Sequence, residues 1–181
     1  MPDLSRRLIL AALPAVVASR ASAQSPLWTD VVPPDMAFRI EMPSPVERSV
    51  ASATEPAHVG PRIAWQASLE RQNFDFDHVD YKPEALAGRD SKEVARELGR
   101  GAVDKAFPRP KFHYLRDEAV TLEGWDGYAL DIQGDDGQGV VMRTWLVGDR
   151  LYRLLATYGA DMRSKGAALR FTDSFKVSRK R

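Results

Sequence analysis

Asp75, Asp77, His78 and Asp80 lie within six residues and form the densest group of chemically useful side chains in the sequence. An extended backbone points Asp75 and Asp77 to one face and His78 to the other. Two carboxylates on one face suit weak binding of a hard cation, or an acid/base pair if a third group perturbs their pKa values. Charge on a strand also has a plainer use, since it keeps an exposed strand from pairing with a neighbour. Arg143 stands midway along an apolar run. There it either joins a buried ion pair or faces an anionic ligand. Trp125 and Tyr128 flank a Gly-Trp-Asp-Gly turn and offer aromatic surface to a partner, whereas Trp65 and Tyr152 read as core. Asp75, Asp77, Trp125, Tyr128 and Arg143 are therefore the candidate ligand-binding residues.

No catalytic machinery accompanies them. His58, His78 and His113 have no histidine three or four residues away to make a metal pair. The sequence holds no H-E-x-x-H, no G-x-S-x-G, no P-loop and no G-x-G-x-x-G after a strand. Asp131, Asp135 and Asp136 lack the D-x-D-x-D-G spacing and the closing glutamate of a calcium loop, so residues 134–139 read as a solvated hairpin tip. Cysteine is absent. That removes a thiol nucleophile, thiolate metal sites, disulfides and a lipid-acceptor cysteine. No catalytic residue, metal or cofactor is assigned.

The elements that position these residues are legible from periodicity. Five prolines between Ser25 and Pro45 mark an extended lead-in, interrupted by a strand over residues 36–42. Residues 63–70 alternate with period two: Ile63, Trp65, Ala67 and Leu69 on one face, Gln66, Ser68 and Glu70 on the other. Residues 74–81 begin the same way, but their apolar parity changes between Phe76 and Val79, which predicts a bulge or a strand end. Asp90, with Glu93 three residues later, predicts a capping box for a helix whose apolar positions run from Val94 to Phe107. Gly99 and Gly101 weaken it by roughly 1 kcal/mol each. Pro108 and Pro110 end it. Four strands follow, over residues 112–122, 125–133, 140–147 and 150–158, separated by glycine turns. A tight loop at Gly148-Asp149 sets Trp145 opposite Tyr152 and Arg143 opposite Leu154. A second helix, capped by Asp161, spans about 162–174. This order predicts an α+β domain, an antiparallel sheet of six to seven strands flanked by two main helices.

Three segments resemble the PsbP-like family. Phe38-Arg-Ile-Glu-Met-Pro43 is similar to its opening strand, Gly148-Asp-Arg-Leu-Tyr-Arg-Leu155 to its late hairpin, and Ala168-Leu-Arg-Phe171 with Ser174-Phe175 to its closing helix. The order matches and the segments span most of the chain. The resemblance implies an α/β/α sandwich that serves mainly as a binding or assembly module in bacterial envelopes and thylakoid lumens. It assigns no functional residue, because fold and function separate.

The N-terminus reads as an export signal. Arg6 and Arg7 precede a 12-residue uncharged stretch, Leu8 to Ser19, and Ala21-Ser22-Ala23 offers small residues at Ala21 and Ala23 for cleavage before Gln24. The apolar stretch is shorter than the roughly 20 residues of a membrane span. Ser5-Arg6-Arg7-Leu8-Ile9-Leu10 resembles a twin-arginine signal, with Ala11 where a lysine is usual. The expected organisation is a signal over 1–23, one domain over 24–177 and a basic tail over 178–181. The signal takes three arginines and one aspartate from the 26 basic and 25 acidic residues, leaving 23 and 24. A domain of net charge −1 has no bias toward nucleic acid or anionic membrane. The expected product is a periplasmic or secreted, non-catalytic module that meets the export machinery through its signal and then binds an envelope protein or small ligand, with no stable membrane anchor. The alternatives are a hydrolase working through Asp75 and Asp77, and a carrier of a lipid or other apolar ligand, which would need an apolar cavity of several hundred Å³.

Overall fold

The computed structural model describes residues 27–51, 59–107 and 112–178. Arg6, Arg7, Ala21 and Ala23 of the expected export signal, His58, and residues 179–181 of the expected basic tail lie outside the described residues. In chain order the elements are β1 (Trp28–Val31), β2 (Phe38–Pro43), β3 (Val46–Ala51), β4 (Arg62–Leu69), β5 (Gln72–Asp80), a single-turn α1 (Pro83–Leu86), α2 (Ser91–Ala106), β6 (Phe112–Leu122), β7 (Trp125–Gly134), β8 (Gly139–Val147), β9 (Arg150–Tyr158), α3 (Met162–Asp173) and β10 (Lys176–Val177).

Seven strands form one antiparallel sheet in the order β3-β4-β5-β9-β8-β7-β6, and β1-β2-β10 form a second, smaller sheet. The small sheet and α3 cover one face of the large sheet. α2 covers part of the other. The architecture is the expected α+β sandwich. The lead-in holds more structure than its prolines suggest: β1 pairs with β2 between Trp28 and Val31. Met36, expected in a strand, instead sits in the turn before β2 with φ +50° and is 67% exposed. The buried alternation begins at Phe38 and continues through Ile40 and Met42.

Phe38 is the hub of the α3-side core. Its ring lies 4.5 Å from Phe76, 5.3 Å from Trp65 and 5.8 Å from Tyr152, all edge to face. Such pairs contribute about 0.5–1.5 kcal/mol each beyond the area they bury. The β8–β9 register is as read from the turn, with Trp145 opposite Tyr152 and Arg143 opposite Leu154. The two aromatic rings meet through Phe175, 5.2 Å from Trp145 and 5.3 Å from Tyr152. β8 is buried at every position, because helices cover both of its faces.

Neither the bulge nor the strand end expected between Phe76 and Val79 occurs in β5. β5 pairs without a register shift with β4 and with β9. The apparent change of parity arises because His78, a polar residue, occupies an inward position, 5% exposed, while Val79 faces the opposite side. The sheet's bulge lies instead in β6, between Tyr114 and Arg116. Asp90 caps α2, its Oδ1 accepting from the backbone N–H groups of Lys92 and Glu93. The Glu93 side chain accepts a hydrogen bond from Arg96. Asp161 caps α3 by accepting from the Ser164 N–H at 2.8 Å.

Candidate functional site

α2 packs on β7 and β8 and leaves β3, β4 and β5 open on the same face. The pairing of these three strands decides what stands there. Glu47 lies opposite Gln66, Gln66 opposite Asp75, and Ser68 opposite Asn73. Gln66 donates through Nε2 to Asp75 Oδ1 at 2.5 Å, and Ser68 Oγ donates to Asn73 Oδ1 at 3.1 Å. These cross-strand pairs line a shallow depression of about 440 Å³.

At Asn73 the depression adjoins a larger cleft of about 750 Å³ at the end of the sheet. Phe107 follows the last turn of α2 and Phe112 opens β6; together with Val140 and Tyr158 they supply the cleft's apolar wall. The two phenylalanine rings meet edge to face at 5.5 Å. The β4–β5 turn contributes Glu70 and Arg71, and the β7–β8 tip contributes Asp136 and Gln138. Gln72 is buried at the base and donates to the backbone oxygens of Thr157 and Ser164, which fixes the start of α3 against the end of β9. The sizes of both depressions fall within the range of small-molecule sites.

Asp75 and Asp77 share this face, as their spacing predicts, but their surroundings differ. Asp75 is half-buried at the depression's edge. Asp77 is 3% exposed, and its Oδ2 accepts from Arg62 Nη2 at 2.8 Å and from Arg153 Nη2 at 2.7 Å. Two guanidinium groups thus occupy one oxygen of Asp77, and Gln66 occupies one oxygen of Asp75. Among the described residues, no third group brings the two carboxylates onto a common reacting atom.

His78 points to the opposite face, among Phe38, Trp65 and Tyr152, and its Nδ1 has no hydrogen-bond partner. Burial holds its pKa below the usual histidine value; the nearby Arg150 adds to this, against the pull of Asp80, Asp35 and Asp77. Arg150 is a residue that sequence reading missed. It grips Asp80 with two bonds of 2.5 and 2.9 Å and reaches Asp35 Oδ2 at 3.3 Å, tying the β1–β2 turn to the large sheet. Asp80 and Arg150 face one another only through the β5–β9 pairing, which no local pattern reveals.

The other candidates lie in the far half of the sheet. Arg143 is buried and pairs with Asp131 at 2.5 Å while also donating to the Met142 carbonyl at 2.7 Å. Tyr128 is buried beneath α2 and donates to Asp117. Trp125 is half-buried against the main core. The structure does not bring these three together with Asp75 and Asp77. Of the groove residues, Asn73, Phe112 and Gln138 carried no signal of their own in the sequence, Phe107 read only as an apolar helix position and Asp136 only as part of a hairpin tip, although the polar parity of Gln66 and Ser68 was plain. Among the described residues, no three His, Asp or Glu side chains are placed to hold a metal ion.

The solved structure of cyanobacterial PsbP (CyanoP) from Synechocystis sp. PCC 6803 superposes with a TM-score of 0.57, covering 89% of this chain and 98% of that one at 12% sequence identity. The fold is PsbP-like. The likeness expected from the three segments is met at the level of fold. LpqN of Mycobacterium tuberculosis, involved in cell envelope biogenesis, covers 84% of this chain and 91% of its own at 14% identity with a TM-score of 0.47. PA94 of Pseudomonas aeruginosa, a protein of unknown function, covers 85% and 99% at 14% identity with a TM-score of 0.44. Scores this low add nothing to the assignment. No family model and no curated protein matches the chain in sequence.

Proposed function

We propose that the chain is exported, cleaved before Gln24, and acts in the periplasm or outside the cell as a non-catalytic binding module. The observation that carries this reading is the groove on the open half of the α2 face, where two adjoining depressions combine an aromatic wall with amide, hydroxyl and carboxylate groups. Ligand sites are concave, with a few convergent polar groups on a rigid scaffold. The PsbP-like fold supports the reading as a known platform for binding and assembly, and the Arg6-Arg7 leader with its Ala21-Ser22-Ala23 cleavage site supports export. Among the described residues no helix is long and apolar enough to cross a membrane.

Two features weigh against the alternatives. The clamp of Arg62 and Arg153 on Asp77 gives that carboxylate a structural task in place of acid/base work. The cleft is an open depression rimmed by Glu70, Arg71, Asp136 and Gln138, whereas a lipid carrier needs an enclosed apolar cavity. The test is native mass spectrometry of the protein recovered from the envelope fraction, together with co-purification of partners. A bound molecule or partner that is lost when Asn73 and Phe112 are replaced is the expected result. A bare protein that brings nothing with it would count against the binding role.

A further inference from the structure

Resting on that reading of the groove as a ligand site, we infer that its occupant is a neutral oligosaccharide. Charge is the first argument. Among the described residues, the two depressions present Glu47, Asp75, Glu70, Asp136 and Asp161 against Arg71, an acidic excess that disfavours phosphate, sulfate and carboxylate ligands. Hydrogen-bonding chemistry is the second. Gln66, Asn73 and Gln138 are primary amides with two N–H donors and an acceptor oxygen apiece. Gln66 and Gln138 each commit one N–H, to Asp75 and Asp136, and Asn73 accepts from Ser68, which leaves donors and acceptors over. Ser68 and Thr157 add hydroxyls. A cation would use acceptors only and leave the remaining amide N–H groups idle. A sugar hydroxyl donates and accepts at once, which is what a mixed row of amides, hydroxyls and carboxylates satisfies.

Shape is the third argument. Gln66 and Ser68 stand two residues apart on β4, opposite Asp75 and Asn73 on β5, so the polar groups form a regular grid on a rigid pleated surface. Cross-strand bonds hold four of these side chains in pairs, Gln66 to Asp75 and Ser68 to Asn73, and pre-organise the rest of their donors and acceptors. The half-buried Phe107 and Phe112 form a wall beyond Asn73, suited to the apolar C–H face of a sugar ring. The depressions of about 440 and 750 Å³ adjoin through Asn73, which suits an extended occupant better than a single compact one.

The test is an amide chemical-shift titration of the mature protein with maltotetraose, cellotetraose and chitotetraose in separate arms, with a tetralysine peptide and a sulfated tetrasaccharide as charged arms. At least one neutral tetrasaccharide is expected to shift Gln66, Asn73, Asp75 and Phe112 saturably, with an affinity unchanged by added salt. Asn73→Ala, or Phe112→Ala should the first variant misfold, is expected to weaken that binding by about tenfold while the remaining spectrum stays native. Groove shifts from a charged arm alone would overturn the inference and leave the binding role standing. Silence of the groove in every arm would overturn the inference as well, and silence toward the small molecules of the envelope fraction with no co-purifying partner besides would remove the binding role with it.

Discussion

Gly99 and Gly101 lie two residues apart in α2 and offer an internally controlled test of how that helix is seated. By helix propensity alone, replacing either with alanine stabilises the helix by about 1 kcal/mol. Gly101 is exposed, and a Cβ there meets nothing within 4 Å, so Gly101→Ala is expected to realise the full gain. At Gly99 an added Cβ would lie 3.0 Å from Met142 Cε and 3.0 Å from Thr144 Oγ1, both in fully buried side chains of β8. Overpacking of this kind costs about 1–3 kcal/mol. Gly99→Ala should therefore be neutral to about 2 kcal/mol destabilising, and the two variants should differ by about 1–3 kcal/mol. Urea unfolding of the chain from Gln24 onward measures this, with m-values compared to confirm that only stability changed. Each kcal/mol corresponds to about 2–4 °C in Tm for a domain of this size. Equal stabilisation by both substitutions would refute the close packing of α2 on β8, and with it the boundary that leaves β3, β4 and β5 open.

Three further outcomes are expected. Asp77→Ala should cost about 2 kcal/mol, because it leaves Arg62 and Arg153 without their shared acceptor, whereas Asp75→Ala at the groove's edge should cost less than about 0.5 kcal/mol; paired denaturation curves check the contrast. His78 has a lowered pKa in the folded state, so the unfolded chain takes up the proton first as pH falls through 6.5. Its contribution is complete above that value and declines below it, and His78→Phe should flatten the slope of stability against pH in the window above about pH 5, where carboxylates do not yet titrate. Arg6→Lys combined with Arg7→Lys should abolish export, followed by immunoblotting of the envelope fraction, and N-terminal sequencing of the exported wild type should begin at Gln24; unchanged export of the double variant would point to the general secretion route.

Much of the fold was legible because its signals are local. The β8–β9 register followed from a two-residue turn, and the caps at Asp90 and Asp161 followed from residue type and spacing. The elements that were missed, β1, β3 and β10, carry little apolar alternation of their own and are strands through their pairing. β1 and β10 are short and acquire strand geometry only by pairing with β2, and β5 looked bulged because the inward position of His78 was invisible to a hydrophobic pattern. The candidate site divided in the same way. The shared face of Asp75 and Asp77 came from period two alone. Their separate fates depend on Arg62 and Arg153, which approach from the two neighbouring strands. Arg143 found its carboxylate on β7, and Tyr128 was buried by a helix that precedes it by more than twenty residues. Asn73, Phe107 and Phe112 converge only where three turns and a helix end meet.

The most direct test is an amide chemical-shift map of the mature protein with and without a small-molecule extract of the envelope fraction. A ligand site on the open half of the α2 face predicts shifts clustered at Gln66, Asn73, Asp75, Phe107 and Phe112. Shifts confined to the far half of the sheet around Trp125, or no shifts at all, would contradict it.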